Sequence, residues 1–303
     1  MRYTEERYIS LLTDFGFKRI FGTNPNKDLL IDFLNSLFDG EQVVKDVTFL
    51  NSEHVGDVRA DRKAIFDVYC ENEKGEKFIV EMQNASQKYF KDRSLYYATF
   101  PIREQAQKGE VWIYELKHVY VVALLNYDMT DSAFAQDTIN HDIGLLDKQT
   151  HRVFNDKLTF KYVEIAKFKK SIEELKTNYD KWIYVLQNLS RLDRQPQYLQ
   201  TAVFSRLFNQ AEIARFSKTE LREYEDSLKA YRDMKNSLDN AEEKGLAKGL
   251  AKGLAEGRAE GLAEGKKDKA VEIAKKLLDM DMPIDAIMKA TGLSQEEITK
   301  FYK

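Results

Sequence analysis

One cysteine, Cys70, is all that the 303 residues contain. That count excludes an internal disulfide and any multi-cysteine metal site, and it suits a reducing compartment. Histidine is also scarce. His54, His118, His141 and His151 fall in no metal-ligand spacing, so no zinc centre is expected and each is read as structural. No apolar run approaches the roughly 18 residues of a membrane span. The opening Met1-Arg2-Tyr3-Thr4-Glu5-Glu6-Arg7 is charged and lacks the apolar stretch of a secretion signal, so no membrane partner and a cytoplasmic location are expected. Nor is there an excess of positive charge. Lys and Arg number 47 against 50 Asp and Glu, a net charge of −3, which argues against gripping nucleic acid by bulk electrostatics. A local basic face on an acidic whole stays open. What the chain does have is core, because 43% hydrophobic residues suffice for one large domain or two smaller ones.

The stretch from Lys63 to Gln83 organises the rest. Two β-rich runs, Ala64 to Cys70 and Phe78 to Gln83, flank a polar segment ending in Gly75, the pattern of a hairpin. If Glu73, Lys74 and Gly75 form a three-residue loop with Gly75 left-handed, Asn72 faces Glu76 and Asp67 falls opposite Glu81. Side chains alternate with period two, so Glu81 and Gln83 share one face with Lys63, Ile65 and Asp67. Opposed like charges are destabilising, which points to a cation between them. Mg²⁺ is the simplest candidate, with Mn²⁺ second, since hard divalent ions are held by one or two carboxylates together with water and phosphate oxygens. Gln83 could then orient a metal-bound water. An edge hairpin with solvated charges fits the spacing equally well. Cys70 points away from the Asp67 face, toward a buried apolar role.

Asp67 followed by Glu81-Met82-Gln83 resembles the Asp…Glu-x-Lys signature of PD-(D/E)XK nucleases in a Glu-x-Gln form. Three further segments join it: Asp14-Phe15-Gly16-Phe17-Lys18-Arg19-Ile20-Phe21-Gly22, Leu30-Ile31-Asp32-Phe33-Leu34-Asn35 and Phe90-Lys91-Asp92-Arg93-Ser94-Leu95-Tyr96-Tyr97. Together they resemble the recombination-promoting nuclease and transposase-like branch, the Rpn family, over about Asp14 to Tyr127. The resemblance implies a restriction-endonuclease-like fold, Mg²⁺-dependent DNA endonuclease activity, and Asp67 and Glu81 as metal ligands. It also implies that an acid ahead of the first strand sometimes joins the site. Asp14 would be that accessory acid, although a helix N-cap is the role its position favours. Gln83 in place of lysine leaves the lysine's charge to be supplied elsewhere, and Lys63 is the candidate.

The remaining chain reads as α/β: a mixed sheet flanked by helices, followed by an all-helical C-terminal region. Residues 4 to 12 suggest a short helix or arm, with helices over Asp14 to Phe21 and, capped by Asn26, Lys27 to Phe38. Gln42 to Leu50 reads as a strand. A polar loop follows, Asn51 to Arg62, with Glu53, Asp57 and Asp61 beside Arg59 and Arg62. Ser86 to Gln107 is helical, kinked or divided at Pro101, and carries Lys91 and Arg93 where they could meet phosphate. The apolar run in His118 to Asn126 predicts a central strand buried on both faces. Val153 to Phe160 and Tyr162 to Phe168 read as further strands, the latter at an edge. Ser171 to Leu186, Gln197 to Phe208 and Thr219 to Leu238 read as helices, with Pro196 the main interruption.

These readings set expected domains: a nuclease-like domain over 1–170, a helical extension over 171–240, a repeat helix or linker over 241–268 and a small helical module over 269–303. Glycines at 245, 249, 253, 257, 261 and 265 form one slowly winding helical stripe. Each costs about 1 kcal/mol relative to alanine, so the helix is expected to be marginal unless it packs on a partner; expansion of a short DNA repeat explains the pattern without function. Pro283 to Ala290, Thr291-Gly292-Leu293-Ser294 and Gln295 to Phe301 outline a helix-turn-helix. Residues 241–303 carry 12 basic and 12 acidic side chains, which favours a protein-interaction or capping module over DNA reading. Three functions follow: a Mg²⁺-dependent DNA endonuclease; a catalytically silent nuclease-like module that binds DNA, a second copy or a partner protein through its C-terminal helices; and a DNA-binding regulator using the terminal helix pair.

Overall fold

A six-stranded mixed sheet with helices on both faces organises the first of two compact units, which divide between Met234 and Lys235. The computed structural model describes residues 6–54, 64–106, 114–130 and 133–300. Strands β1 (Val47–Phe49), β4 (Val68–Asn72), β5 (Lys77–Gln83), β6 (Val119–Leu125), β8 (Val153–Glu164) and β7 (Asn140–Leu146) lie side by side in that order. The β5–β6 and β6–β8 pairs are parallel, and the outer pairs are antiparallel. Two short strands, β2 (Glu53–His54) and β3 (Ala64–Ile65), pair separately. β6 is buried along its whole length, as its unbroken apolar sequence requires of a central parallel strand.

The sheet's two faces bury different halves of the alternating strands. Val68, Cys70, Phe78, Val80 and Met82 face helices α1 (Asp14–Phe21), α2 (Lys27–Phe38), α4 (Asn178–Asn188) and α5 (Ala202–Ala211), with Trp182 at the centre of a Phe21, Phe33 and Phe204 cluster. Tyr69, Ile79, Val121 and Tyr162 face α3 (Phe90–Glu104). Glu81 and Gln83, in phase with Ile79, therefore lie on the α3 side. Residues from 171 onward, through Tyr224 of α6 (Lys218–Leu278), share the larger core.

Local sequence explains the elements nearest the site. Thr13 caps α1 by accepting from the Gly16 N–H at 3.1 Å, so Thr13 is the N-cap and Asp14 the first helical residue. A Cβ at Gly16 would stand 2.1 Å from the Ser10 carbonyl oxygen, so only glycine allows this approach. Gly75, at φ +76°, closes the β4–β5 loop, and Asn72 donates to the Glu76 carbonyl at 3.0 Å, as expected.

Several expectations are corrected. Of the two readings for the segment before α1, helix or arm, residues 6–12 take the arm: Tyr8 bridges to Glu212, and the Ile9 N–H donates to the Ala211 carbonyl at 3.0 Å. The first strand is limited to Val47–Phe49. The Ala64 to Cys70 run is broken at Phe66 and Asp67, which puts Ile65 in the small sheet, away from the face shared by Asp67 and Glu81. Residues 153–164 make one strand, internal to the sheet, with the unanticipated β7 outside it. Lys63 and the loop residues Asp57, Arg59, Asp61 and Arg62 lie outside the described residues.

In the second unit the glycine stripe lies within α6, and an added Cβ at any of the six positions meets nothing within 4 Å. Ala274, Ile287, Leu293 and Ile298 form a small core between the end of α6, α7 (Ile284–Thr291) and α8 (Gln295–Thr299). Gly292 ends α7 at φ +72°, and Ser294 with Glu297 forms a capping box that starts α8, giving the anticipated helix, tight turn, helix.

Candidate active site

The site grows from the point where β4 and β5 part. The β4–β5 register pairs Val68 with Val80, so Asp67 and Glu81 are the next pair outward. There the backbone ladder is replaced by side chains. The Asp67 N–H donates to Glu81 Oε1 at 3.2 Å, and the Met82 N–H donates to Asp67 Oδ2 at 2.9 Å. Each acid thus satisfies a backbone donor of the opposite strand, and the exchange holds both carboxylates together at the fork.

Burial makes this arrangement electrostatically tense. Glu81 is 6% exposed, and burial, reinforced by the Asp67 charge, pushes its carboxyl up to about 8. Asp67 is also raised, by burial first, against the opposing pull of the Met82 N–H and the Lys18 ammonium. Lys18 Nζ lies 3.9 Å from Asp67 Oδ1 and 2.7 Å from Asp14 Oδ1. Burial opposes the Lys18 charge, but the hydrogen bond to Asp14 and the fields of the three acids outweigh it and hold its pKa above the usual value.

On the other side, Gln83 Nε2 donates to Glu81 Oε2 at 3.2 Å, and Arg93 Nη2 donates to Gln83 Oε1 at 2.6 Å. Arg93 Nη1 also donates to Gln87 Oε1. A cleft of about 250 Å³ opens beyond Gln87, lined by Lys88, Lys91, Tyr127 and Met129 among others. The structure therefore brings Asp67, Glu81, Gln83 and Arg93 together. Asp14 is bonded to this group through Lys18, and exposed Lys91 lines the cleft with its ammonium 5.9 Å from the Phe134 ring. Lys18 and Gln87 were not singled out from sequence as site residues. The one local signal for Lys18 was its spacing of four from Asp14, which pairs side chains on a helix.

A buried carboxylate, Glu81, beside the half-buried Asp67 that raises its affinity for a proton forms a hard-oxygen pair suited to a divalent cation. Among the described residues no group of three or more His, Cys, Asp or Glu side chains clusters as a metal site, so the remaining ligands of an ion here would be water and phosphate oxygens.

The model of the PD-(D/E)XK nuclease family transposase matches residues 11–241, well over half of the chain. The chain belongs to this family. Its sheet and flanking helices have the restriction-endonuclease-like fold, and nuclease and transposase-like function is what membership carries. Residues 267–301 match the C-terminal HTH domain of the Rpn/YhgA-like nuclease family. The small helical module is therefore the helix-turn-helix anticipated from its outline, and the match favours the DNA reading that its even charge balance had ranked below a protein-interaction or capping role. No curated protein and no solved structure matches the chain. No helix among the described residues is long and apolar enough to cross a membrane.

Proposed function

We propose that this family member is a divalent-metal-dependent DNA endonuclease that hydrolyses phosphodiester bonds, with Asp67 and Glu81 holding Mg²⁺ or Mn²⁺. The observation that carries this reading is the reciprocal bonding of Asp67 and Glu81 across the strand fork. A divalent ion bound there supplies Lewis-acid polarisation of a phosphoryl oxygen and a more acidic bound water. The chain's own part is to present both carboxylates ionised. The Met82 N–H and Lys18 favour the charged form of Asp67, while Glu81 gives up its proton when a cation replaces it. DNA is the expected partner, and the helix-turn-helix domain supports that choice.

The test is conversion of supercoiled plasmid to nicked circles with Mg²⁺, Mn²⁺ or EDTA. Wild type is expected to nick with either ion and not with EDTA. Asp67→Ala and Glu81→Ala should each lose at least about 100-fold, the scale of removing a group that stabilises transition-state charge. Equal digestion by either variant ends the assignment.

A second reading, a nuclease-like module that binds DNA or protein without cutting, is favoured by Gln83. It stands where the signature has lysine, and both ends of its amide are engaged. Wild-type protein that releases no heat with either ion in calorimetry would decide for it.

A further inference from the structure

Arg93 is held where a structural arginine would normally find a carboxylate. Its guanidinium lies 5.6 Å from the ring centroids of both Phe90 and Tyr97. Its hydrogen-bond partners among the described residues are the carbonyl oxygens of two neutral amides, Gln83 and Gln87. No ion pair links it to an acid there, and its buried Nε has no partner. A guanidinium carries five N–H donors in a rigid fork. Two side-chain bonds leave donor capacity unused on this half-buried guanidinium.

Gln83 explains how that cation stays in place without a direct ion pair, while its field still reaches the Glu81 and Asp67 carboxylates. Because Arg93 can only donate, it fixes the Gln83 oxygen toward itself and turns the amide nitrogen toward Glu81 Oε2, at 3.2 Å. The glutamine thus stands between cation and acid. A carboxylate at position 83 would neutralise Arg93, whereas the amide holds it and leaves the charge.

We propose that Arg93 supplies the fixed positive charge that acts on the scissile phosphodiester, and that Gln83 is the residue that positions it. This rests on the endonuclease reading. In the hydrolysis, a water oxygen bonds to phosphorus and its surplus proton passes to solvent. The P–O ester bond breaks, and the departing oxygen takes a proton from solvent. Negative charge builds on the non-bridging oxygens in between, and the guanidinium fork matches two of them. In this account Gln83 does not replace the signature lysine by handling water; the pair Gln83–Arg93 replaces it, with the charge delivered from α3.

The experiment compares wild type with Arg93→Gln, Arg93→Lys, Gln83→Leu and the double variant Gln83→Lys/Arg93→Gln. Plasmid nicking is measured with Mn²⁺, and affinity for a fluorescent DNA duplex is measured in EDTA over a range of salt. Thermal melting checks the fold. Arg93→Gln is expected to lose at least about 100-fold in nicking. It should also lose about 0.9 from the magnitude of the log K against log salt slope, the value for one phosphate contact. Arg93→Lys should keep the slope, and the double variant should recover at least about tenfold in nicking over Arg93→Gln by returning a cation to the site. Gln83→Leu should lower kcat with the slope retained. An Arg93→Gln protein that melts like wild type and keeps both slope and nicking overturns the proposal. Should Arg93→Gln fail to fold, an unchanged kcat in Gln83→Leu overturns it instead. If wild type itself never nicks, the endonuclease reading fails, and the slope alone decides whether Arg93 meets phosphate.

Discussion

Asp67 and Glu81 are joined through the backbone as well as through charge: the Asp67 N–H donates to Glu81 Oε1 at 3.2 Å, and the Asp67 carboxylate accepts from the neighbouring Met82 N–H. Substituting either acid therefore removes an ion ligand and a cap on the opposite strand. Conservative changes, Asp67→Asn and Glu81→Gln, separate these effects, because an amide oxygen can still accept the backbone bond while the negative charge is gone.

The metal-free protein should lose stability as pH rises from the ordinary carboxylate range to about 8. Burial and Asp67 raise the Glu81 carboxyl into that range. The folded state then binds a proton that the unfolded state has released, so each pH unit at full slope costs about 1.4 kcal/mol. The contribution is fully present below the unfolded pKa and is lost through the folded one. Melting in EDTA from pH 5 to 8.5 measures it, and Glu81→Gln should flatten the curve.

Lys18 holds Asp67 toward its charged form. Lys18→Ala should raise the Asp67 pKa further, so that binding of Mn²⁺ at neutral pH releases more protons than in wild type. Calorimetry in two buffers of different ionisation heat reads that number. No difference between the proteins would remove Lys18 from the account.

Two strands across from Gln83, Glu164 at the end of β8 is fully buried and accepts from His141 Nε2 at 2.7 Å, Lys167 Nζ at 2.8 Å and the Met129 N–H at 2.5 Å. Glu164→Ala takes this acceptor from all three donors, leaving Lys167 only the Thr138 carbonyl at 3.4 Å, and should destabilise the fold by about 3–5 kcal/mol in denaturant unfolding. A cost within about 0.5 kcal/mol, the range of an ordinary surface change, would contradict the structure here.

The glycine stripe of α6 makes an opposite prediction. With open space at each added Cβ, Gly253→Ala and Gly257→Ala should each stabilise the helix by about 1 kcal/mol. Circular dichroism melts should show the gain. Destabilisation would mean that a partner uses the stripe.

Much of this arrangement was legible in the sequence because it rests on short-range rules. The three-residue loop ending in left-handed Gly75 set the hairpin register, period-two alternation put Glu81 and Gln83 on one face, and the unbroken run of β6 marked the central strand. The strand break at Asp67 was not legible, since it depends on Glu81 and Met82 completing hydrogen bonds from across the fork. β7 escaped because Asn140-His141-Asp142 are polar and Gly144 lies within the strand, which weakens any β signal. Lys18 and Gln87 meet the site through packing of α1 and through the loop before α3. Neither approach has a sequence period to announce it.

The claim on which the rest stands is that Asp67 and Glu81 together grip one divalent ion. Calorimetric titration of Mn²⁺ into wild type, Asp67→Asn and Glu81→Gln at pH 8 tests it most directly. The expected result is a single site in wild type and loss of most of the binding in each folded variant; binding of undiminished affinity in either variant, or none in wild type, would contradict it.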